Sequence, residues 1–458
     1  MSPSFNIAII GAGPASLYAT DVLSKQGHHV TIINRDIKPG GLVEYGIYLN
    51  KYKMKRGLRK IFNRILDRDN VHYLGNVTVG VDSPLTVQGL KDMGYDAVVV
   101  AVGAQGTKWL GLDGEQGEGV FHAKDVVYHY NSLPPFSEKS FDVGQNVVVV
   151  GFGNVCLDIV HWLVCERKVA SATIVARRGP NERASTPKEL KLVSNAMDMA
   201  QIEQEITQDI AENLKSLGQD PQAAFEDITS YKDIPLETQS PTSLRMRFLR
   251  SPSAVELDDD GRVKGLRCEI TRMTPPRQEG GRPGVQGTGE YEVLECDGVV
   301  FAIGDSIEPS IGLPLEPKWK STFATVPDAW EGAPEAPRYM VWDPETKTPL
   351  WGTFVVGWAR KASDGLVGKA RQDAVQGCQE ILGYLQGEFE QGPTGEPVDG
   401  DQLLTNLTTM LVERGVEVVD LHGVRLIEKH EQEHAQAHGL PEYKYTHTEA
   451  MLELARKR

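Results

Sequence analysis

The first thirty-four residues alternate between short apolar runs and one stretch of helical periodicity. Phe5 to Ile10 is an apolar run, Leu17 to Gln26 repeats apolar residues at helical spacing, and His29 to Asn34 is a second apolar run. The turn Gly11-Ala12-Gly13-Pro14-Ala15-Ser16 separates the first run from the helix. The pattern predicts a βαβ unit of about thirty residues, the size that a dinucleotide site requires.

The same order of elements returns about 140 residues later. Asn146 to Val150 is an apolar strand, Gly151-Phe152-Gly153-Asn154 is the turn, and Val155 to Val164 has helical periodicity. A further strand is predicted over Ser171 to Ala176. Two such units so far apart predict two separate nucleotide-binding domains.

Weaker patterns complete the outline. Ala97 to Gly103 and Gly298 to Gly304 are apolar strands that close on glycine, and Phe354 to Trp358 is a strand that ends in an aromatic residue. Thr274 to Gly289 is rich in Gly and Pro and is predicted to be a loop. From Asp401 onward, helical patterns alternate with charge.

Composition narrows the class of protein. A chain of 458 residues is too long for one ordinary core, which favours at least two domains. Its formal net charge of -15 disfavours nucleic acid as a partner. No apolar run is long enough to span a membrane, and the N-terminal run lacks a basic leader, so neither a membrane span nor a signal peptide is expected.

The five cysteines are scattered and never form a C-x-x-C pair. This spacing disfavours a redox dithiol and an iron–sulfur cluster held by this chain alone, and no metal site is expected. Free thiols fit a reducing compartment, so we expect a cytoplasmic protein. The cysteines are Cys156, Cys165, Cys268, Cys296 and Cys378.

The first glycine turn has the chemistry of a pyrophosphate site. Gly11 and Gly13 let the backbone approach the phosphates, while the helix after the turn offers unpaired N–H groups and a partial positive charge. Ser16 replaces the third glycine, and Asn34 stands where an acidic residue is expected; its amide can still bond a ribose hydroxyl. The alternative is a glycine turn that binds no ligand.

The second turn carries a stronger indication. Cys156 replaces the third glycine, and Arg177-Arg178-Gly179 comes after the next strand, where the adenosine ribose of a nucleotide would lie. Paired guanidinium groups suit a 2′-phosphate, which favours NADP over NAD. A solvated arginine pair is the alternative.

Two acidic residues and one tryptophan are candidates for chemistry. Thr186-Pro187 is a plausible helix start, which would let Asp158 and Glu189 face the nicotinamide end of the groove; both could instead be ordinary helix charges. Trp358 could cover one face of a flavin ring, with the helix start from Gly365 to Gly368 supplying N–H groups. The alternative for Trp358 is core packing.

Basic residues cluster in an otherwise acidic chain. Such clusters can steer an acidic partner, although a solvated helix face is the alternative for each. The first cluster comprises Lys51, Lys53, Lys55, Arg56, Arg59 and Lys60, and the second comprises Arg245, Arg247 and Arg250.

These motifs together resemble the adrenodoxin reductase family, ferredoxin–NADP reductases built on the glutathione reductase plan and related to glutamate synthase small subunits. The resemblance runs nearly end to end, and GxGN-x-x-x-D with RRGP and T-x-K-E-L after it is its most specific part. Its main stretches are GAGPASLYA, PGGLVEYGI, AVGAQ, GFGNVCLD, ARRGP, TPKEL, RFLRSP, VVGW, DGLVG and LIEKHEQEHAQAHGLPEYK.

The resemblance implies an α/β fold of two three-layer Rossmann-like nucleotide-binding domains of the glutathione reductase type. The FAD-binding domain would be discontinuous, residues 1–107 and 313–458, with the NADP-binding domain at 108–312. Implied FAD contacts are Gly11, Gly13, Pro14, Ala15, Asn34, Gly41, Leu42, Gly46, Gly103, Trp358, Gly365, Leu366 and Val367. Implied NADP contacts are Gly153, Asn154, Val155, Arg177, Arg178, Glu189 and Gly365.

The implied activity is transfer of electrons from NADPH through FAD to a ferredoxin-like iron–sulfur protein, with Glu189, Asp158 and Lys51 as candidate catalytic residues. An acidic ferredoxin would dock at Lys51, Lys53, Lys55, Arg56, Arg59, Lys60, Arg247 and Arg250. The chain departs from the family at Lys51, where the family has its active-site histidine, and in the segment Arg360 to Gly365. The altered positions Ser16, Asn34 and Lys51 leave open a flavin-retaining docking or regulatory subunit without turnover of its own.

Overall fold

A computed structural model of the chain describes residues 3–278, 280–318, 320–327, 335–361, 367–394 and 398–457. Over these residues the chain divides into two compact units. Unit 1 comprises Met1–Thr107, Tyr128–Lys139 and Asp305–Arg458, and unit 2 comprises Lys108–Val127 and Ser140–Gly304.

Strands occur in both units. They are β1 (Asn6–Ile10), β2 (His29–Ile33), β3 (Val71–Gly75), β4 (Ala97–Val100), β5 (Gly106–Thr107), β6 (Val120–His122), β7 (Asn146–Val150), β8 (Ser171–Ala176), β9 (Ser243–Phe248), β10 (Arg250–Leu257), β11 (Val263–Thr274), β12 (Gly284–Glu295), β13 (Gly298–Phe301), β14 (Asp305–Ser306), β15 (Met340–Asp343), β16 (Thr348–Val355) and β17 (Val419–Asp420).

The α-helices are α1 (Pro14–Lys25), α2 (Leu42–Tyr45), α3 (Tyr52–Leu66), α4 (Val87–Asp92), α5 (Ala123–Tyr130), α6 (Asn154–Trp162), α7 (Pro187–Leu190), α8 (Met199–Gln204), α9 (Ala211–Ser216), α10 (Pro221–Thr229), α11 (Val367–Leu385), α12 (Gly400–Glu413), α13 (Leu421–Ala437) and α14 (Thr448–Ala455). Turns of 3₁₀ helix cover Leu49–Lys51, Phe136–Glu138, Pro180–Glu182, Ser194–Ala196, Pro309–Ile311 and Gly357–Ala359, and π-helical turns cover Leu163–Arg167 and Glu205–Asp209.

Unit 1 is built on a seven-stranded sheet in the order β15-β16-β4-β1-β2-β3-β17. Its five central strands are parallel, and β1 lies between β2 and β4, with Ile7 opposite Val30 and Ala97. The side chains of β1 alternate between two cores: Ile7 and Ile9 pack in one, and Ala8 and Ile10 in the other. Both faces of the sheet are therefore covered, as in a three-layer α/β unit.

Unit 2 contains a second parallel sheet, in the order β6-β13-β7-β8-β9, and a three-stranded antiparallel sheet, β10-β11-β12. Strand β7 lies between β8 and β13, with Val148 opposite Thr173 and Val299. In both units the chain thus reverses its strand order beside the first strand of the βαβ motif. Ligands of open α/β sheets bind at such reversals, beyond the carboxyl ends of the strands. The predicted α/β class with two nucleotide-type sheets is confirmed.

The segment Tyr128–Lys139, expected in the NADP domain, lies in unit 1. Its place there is explained by packing: Tyr128 and Leu133 share an apolar cluster with Tyr45, and Asn131 Oδ1 accepts a hydrogen bond from Lys55 Nζ at 2.9 Å. Unit 1 also resumes at Asp305 rather than at 313, because β14 pairs with β5.

Two sequence predictions of local structure are wrong. The glycine-rich stretch predicted as a loop contains the start of β12. From Gly284 onward β12 pairs with β11, because the pairing between the two strands continues through the glycines. Strand β16 ends at Val355, so Trp358 lies in the 3₁₀ turn after the strand and not in the strand itself. In the part of the chain that the structure describes, no helix is long and apolar enough to cross a membrane.

Candidate nucleotide-binding sites

A cleft in unit 1 lies where β1, β2 and β4 end, because the residues directly after all three strands line it. It contains Gly11, Gly13, Pro14, Ala15, Asn34, Gly41, Leu42, Gly103, Trp358 and Val367, all predicted from the sequence. It also contains Arg35, Asp36, Val77, Thr78, Val79, Val102, Gln105, Glu308, Ser310, Ile311 and Ala370, which were not predicted. Arg35 and Asp36 directly follow the predicted Asn34, whereas the segment around Ser310 carries no motif.

Two glycines that line this cleft, Gly11 and Gly41, have no room for a side chain. Gly11 has a φ of +98°, and a Cβ there would lie 2.7 Å from Ala101 O. Gly41 has a φ of +51°, and its Cβ would lie 2.9 Å from Gly13 Cα. Gly13 faces open space and precedes α1, whose first turn has no side-chain cap. The uncapped N–H groups of α1 beside an open backbone fit a pyrophosphate.

Asn34 has a structural role in this turn. Its Oδ1 accepts a hydrogen bond from Ala12 N at 3.1 Å, and its Nδ2 donates to Asp36 O at 2.8 Å and to Tyr73 Oη at 3.1 Å. Both amide hydrogens are therefore directed at protein acceptors, which leaves only the second lone pair of Oδ1 for a ribose hydroxyl. Asp36, two residues farther on, lines the same cleft and carries a carboxylate, which Asn34 lacks.

Trp358 is held against the cleft by contacts that the sequence did not indicate. The preceding Gly357 has a φ of +73°, and a Cβ there would lie 2.6 Å from Ala15 Cβ, so only glycine lets this turn approach α1. Gly357 N donates to the buried Asp373 at 2.6 Å. Trp358 Nε1 is buried and finds no acceptor among the described residues, which fits a bound group that carries acceptor atoms.

Gly46 does not line the cleft; it ends α2, where its N–H donates to Leu42 O at 2.8 Å. A Cβ on Gly46 would lie 2.6 Å from Leu42 Cδ2, so glycine at this position leaves room for Leu42, which does line the cleft. Gly365 and Leu366 lie outside the described residues.

A cluster of buried ion pairs includes Glu44 of α2. Glu44 pairs with Lys38 at 3.1 Å, with Arg59 at 2.6 Å and with Lys444 at 3.6 Å. Burial alone would raise the pKa of Glu44, but these three cations hold it well below its usual value. The cluster comprises Lys38, Glu44, Lys55, Arg59, Glu431, Glu442 and Lys444.

This cluster corrects part of the predicted docking patch. Lys55 is fully buried, and its Nζ bonds Asn131, so it cannot meet a partner. Arg59 is half-buried in ion pairs with Glu44 and Glu442. The sequence predicts both as docking residues, because a run of basic residues does not by itself show which face of the helix is buried.

Two predicted arginines of unit 2 need the same correction. Arg250 is buried and ion-paired with Glu292. Arg247 bonds Glu205 at 2.7 Å. Their charges are neutralised within the unit, so neither contributes to a free basic patch.

The second glycine turn, in unit 2, repeats the geometry of the first. Gly151 has a φ of +124°, and a Cβ there would lie 2.4 Å from Ala302 O, while Gly153 faces open space ahead of α6. Val155 is exposed in the first turn of α6, and Cys156 is fully buried, as a small residue for close helix packing would be. The uncapped start of α6 fits a second pyrophosphate.

Asn154 joins the two helices that carry the candidate acids. Its Oδ1 accepts a hydrogen bond from Thr186 N at 2.8 Å, which fixes the start of α7 beside the start of α6. Asp158 lies one helical turn after Asn154, and Glu189 lies on α7; both are half-buried. The structure thus brings the elements that carry Asp158 and Glu189 together. Lys51, also half-buried, lies in unit 1 just before α3.

The arginine pair lies where the sequence placed it, directly after β8, with Arg177 exposed and Arg178 half-buried. Arg178 lines a shallow cavity of about 460 Å³. Burial, and then the neighbouring charges of Arg177 and Arg282, lower the pKa of Arg178. Arg277 and Arg282 line the same cavity and were not predicted, because they belong to the stretch interpreted as a plain loop.

Comparison with known proteins identifies relatives over nearly the whole chain. Residues 5–225 match the family described as pyridine nucleotide-disulphide oxidoreductase. The chain is 27% identical to the NADPH-ferredoxin reductase FprA of Mycobacterium leprae, over 98% of each chain. It is 26% identical to the mitochondrial NADPH:adrenodoxin oxidoreductase of Arabidopsis thaliana, over 99% of this chain and 96% of that one.

The Bos taurus mitochondrial NADPH:adrenodoxin oxidoreductase is 28% identical, over 98% of this chain and 91% of that one. Among solved structures, Mycobacterium tuberculosis FprA in complex with NADPH superposes with a TM-score of 0.77 at 24% identity, over 99% of this chain and 100% of that one, so the two share a fold. The resemblance inferred from the motifs is confirmed: the chain is a homologue, over nearly its whole length, of the NADPH:adrenodoxin oxidoreductases and NADPH-ferredoxin reductases.

Proposed function

We propose that the chain is an FAD-dependent oxidoreductase that takes electrons from NADPH and passes them to a ferredoxin-like iron–sulfur protein. The observation that carries the proposal is the pair of open glycine turns, at Gly11–Gly13 and Gly151–Gly153, of which only the second has paired arginines after its next strand. Full-length relatives with these activities in their names support it. They do not favour the alternative of a docking subunit without turnover.

FAD would occupy the cleft of unit 1. Gly11, Gly13 and the first N–H groups of α1, beginning with Ala15 behind Pro14, would hold the pyrophosphate. Leu42, Gly41, Gly103, Trp358 and Val367 would surround the rest, with Gly46 acting behind Leu42. When bound, the flavin accepts a hydride and releases electrons one at a time.

NADPH would bind unit 2, which makes that unit the NADP-binding domain and unit 1 the FAD-binding domain. Gly153 and Val155 would lie against the pyrophosphate, Asn154 would keep α7 in place, and Arg177 and Arg178 would hold the 2′-phosphate. Asp158, Glu189 and Lys51 remain the proposed catalytic residues. The bond from Thr186 to Asn154 supports a shared role for the two acids.

The proposed docking surface for the iron–sulfur protein is the exposed basic stripe of α3: Lys53, Arg56, Lys60 and Arg64. These residues recur every three or four positions and so share one helix face. Met54 and Ile61 are also exposed, at 50% and 43%, and add apolar area beside the charges. The stripe is positively charged, although the chain as a whole has a net charge of -15. This local positive charge favours an acidic partner.

The stripe is also coupled to the cleft. Arg59, on the inner face of α3, bonds Glu44 of α2 at 2.6 Å, and Leu42 of α2 lines the cleft. A partner seated on α3 would therefore lie close to the flavin side of unit 1. A cytoplasmic location remains part of the proposal, supported by five cysteines that are all free and buried.

An anaerobic reductive titration tests the proposal. The purified protein should carry the yellow absorbance of oxidised flavin, and stoichiometric NADPH should bleach it, whereas NADH should be much less effective. Oxidised ferredoxin added afterwards should restore the yellow colour. A colourless protein, or a yellow one that NADPH does not bleach, would refute the assignment and leave the docking-subunit alternative.

A further inference from the structure

The β11–β12 hairpin of unit 2 carries two arginines at its tip. Strands β11 and β12 are each twelve residues long, and the connection between Thr274 and Gly284 holds Arg277 and Arg282, both exposed. Together with Arg178 they line the cavity of about 460 Å³. The hairpin thus brings guanidinium groups from a distant part of the chain to the arginine turn after β8.

Three contacts hold the hairpin against that turn. Arg178 Nε donates to Pro283 O at 3.2 Å, and Thr271 Oγ1 donates to Arg177 O at 3.2 Å. Gly179 N donates to Met273 Sδ at 3.3 Å. Each residue of the Arg177–Gly179 turn is therefore bonded to the hairpin, so the position of the tip relative to Arg178 is set by the fold.

The positive charge of the arginines at the hairpin tip and in the Arg177–Gly179 turn has no counter-ion among the described residues. None of Arg177, Arg178, Arg277 and Arg282 forms an ion pair there, and Glu182, the acid that offsets Arg178, bonds Gln219 instead. Because the Nε of Arg178 is used by Pro283, its two terminal nitrogens remain available. The described residues that line the cavity include no carboxylate. Guanidinium groups collected there repel one another, and a phosphate dianion would relieve that repulsion.

We propose that Arg277 and Arg282 are specificity-determining residues, which close the 2′-phosphate site of the coenzyme from the side opposite Arg177 and Arg178. The inference rests on the proposed function, since it assigns the 2′-phosphate to that function's NADPH site. In this arrangement, the preference for NADPH depends on the hairpin as well as on the motif after β8. The hairpin is then part of the coenzyme site and not a surface appendage.

Calorimetric titration with 2′,5′-ADP and 5′-AMP isolates the 2′-phosphate without requiring turnover. In the holoprotein, Arg277→Gln with Arg282→Gln should weaken 2′,5′-ADP binding about 10- to 100-fold, as the loss of charged hydrogen bonds predicts, and should leave 5′-AMP binding unchanged. Arg272→Gln is the matched control: it lies on the same hairpin, bonds Gln286 and does not line the cavity. It should bind both ligands like the parent.

Unchanged 2′,5′-ADP binding in the double variant overturns the inference, and so does an equal loss for both ligands, which would mean a general electrostatic or folding effect. A melting temperature like that of the parent checks folding. The double variant Arg177→Ala with Arg178→Ala distinguishes a failure of the hairpin inference from a failure of the proposed NADPH specificity. If that variant loses discrimination and the hairpin variant retains it, NADPH specificity stands and the hairpin has no part in it. If the parent itself does not discriminate and NADPH does not bleach it, the proposed function fails first.

Discussion

The two glycine turns share one backbone device and differ in the residues that come after the second strand of each βαβ unit. At Gly11 and at Gly151, a Cβ would collide with the carbonyl oxygen of a neighbouring strand's end, Ala101 O at 2.7 Å and Ala302 O at 2.4 Å. After β2 come Asn34 and Asp36, whereas after β8 come Arg177 and Arg178. In the proposed function, each turn would leave room for a pyrophosphate, and the residues after the second strand would select the nucleotide.

The strongest test of this comparison is to fill each turn separately. Gly11→Ala places a Cβ at a φ of +98° against a backbone oxygen, and Gly151→Ala does the same at +124°. Backbone strain and overpacking together cost roughly 2–6 kcal/mol, which should abolish most binding at the affected turn. We expect Gly11→Ala to purify largely without flavin, and Gly151→Ala to stay yellow but to require far more NADPH for bleaching.

The control for both is Gly57→Ala, because Gly57 is exposed on α3 and a Cβ there meets no atom within 4 Å. It should retain flavin and NADPH bleaching. If Gly11→Ala retained full flavin content, or if Gly151→Ala lost flavin and kept NADPH binding, the assignment of the two turns would be reversed or wrong.

The second prediction concerns the two arginines that are proposed to select the nucleotide. Replacing Arg177 and Arg178 with Ala removes charged hydrogen bonds of about 1.5–3 kcal/mol each. The KM for NADPH should rise about 10- to 100-fold, and the KM for NADH should change much less. Steady-state reduction of a dye with each coenzyme measures this. A similar rise for both coenzymes would show that the arginines do not recognise the 2′-phosphate.

The same comparison shows what the sequence could and could not predict. Both turns, the strands β7 and β8 and the arginine pair can be inferred from local patterns, because glycine, apolar runs and charge at fixed spacing have local physical causes. Asn34 was predicted as a ligand contact, and it lines the cleft, but its amide also forms hydrogen bonds to Ala12 N and Tyr73 Oη. The bond to Tyr73 could not be predicted, because Tyr73 is distant from Asn34 in the chain. Lys55 was predicted to contact a docking partner, but it is buried against Asn131 and Glu442, which no local pattern reveals. Asp373, Arg277 and Arg282 reach their sites only through tertiary packing.

The third prediction tests the basic stripe as the place where a partner docks. Lys53→Glu, Arg56→Glu and Lys60→Glu together should slow reduction of an acidic ferredoxin about tenfold or more at low salt, and NADPH-dependent reduction of a small uncharged dye should be unaffected. Added salt should slow the parent towards the rate of the variant, because a Debye length of about 10 Å at 0.1 M screens exposed charges.

A matched control keeps the net charge equal. Reversal of the exposed Lys215, Lys264 and Lys347, none of which belongs to α3, changes the total charge by the same amount. If this control slowed ferredoxin reduction as much as the stripe variant does, the effect would come from net charge and not from docking. Equal rates in the stripe variant and the parent would leave the stripe as a solvated helix face.

The smallest expected effect concerns Trp358, which lines the cleft of unit 1 and does not line the cavity beside Arg178 in unit 2. Its buried Nε1 has no acceptor among the described residues, so a bound flavin would supply that partner and stack near the indole. Trp358→Ala should weaken FAD retention several-fold and increase flavin fluorescence, because a quenching aromatic neighbour is lost. Trp358→Phe keeps an aromatic face and removes only the N–H donor. The binding free energy of FAD should therefore weaken by less in this variant, by about the 0.5–1.5 kcal/mol that one hydrogen bond contributes. NADPH affinity should remain that of the parent in both variants. If Trp358→Ala leaves the flavin spectrum, its fluorescence and the FAD content unchanged, Trp358 is a packing residue and the flavin ring lies elsewhere in the cleft.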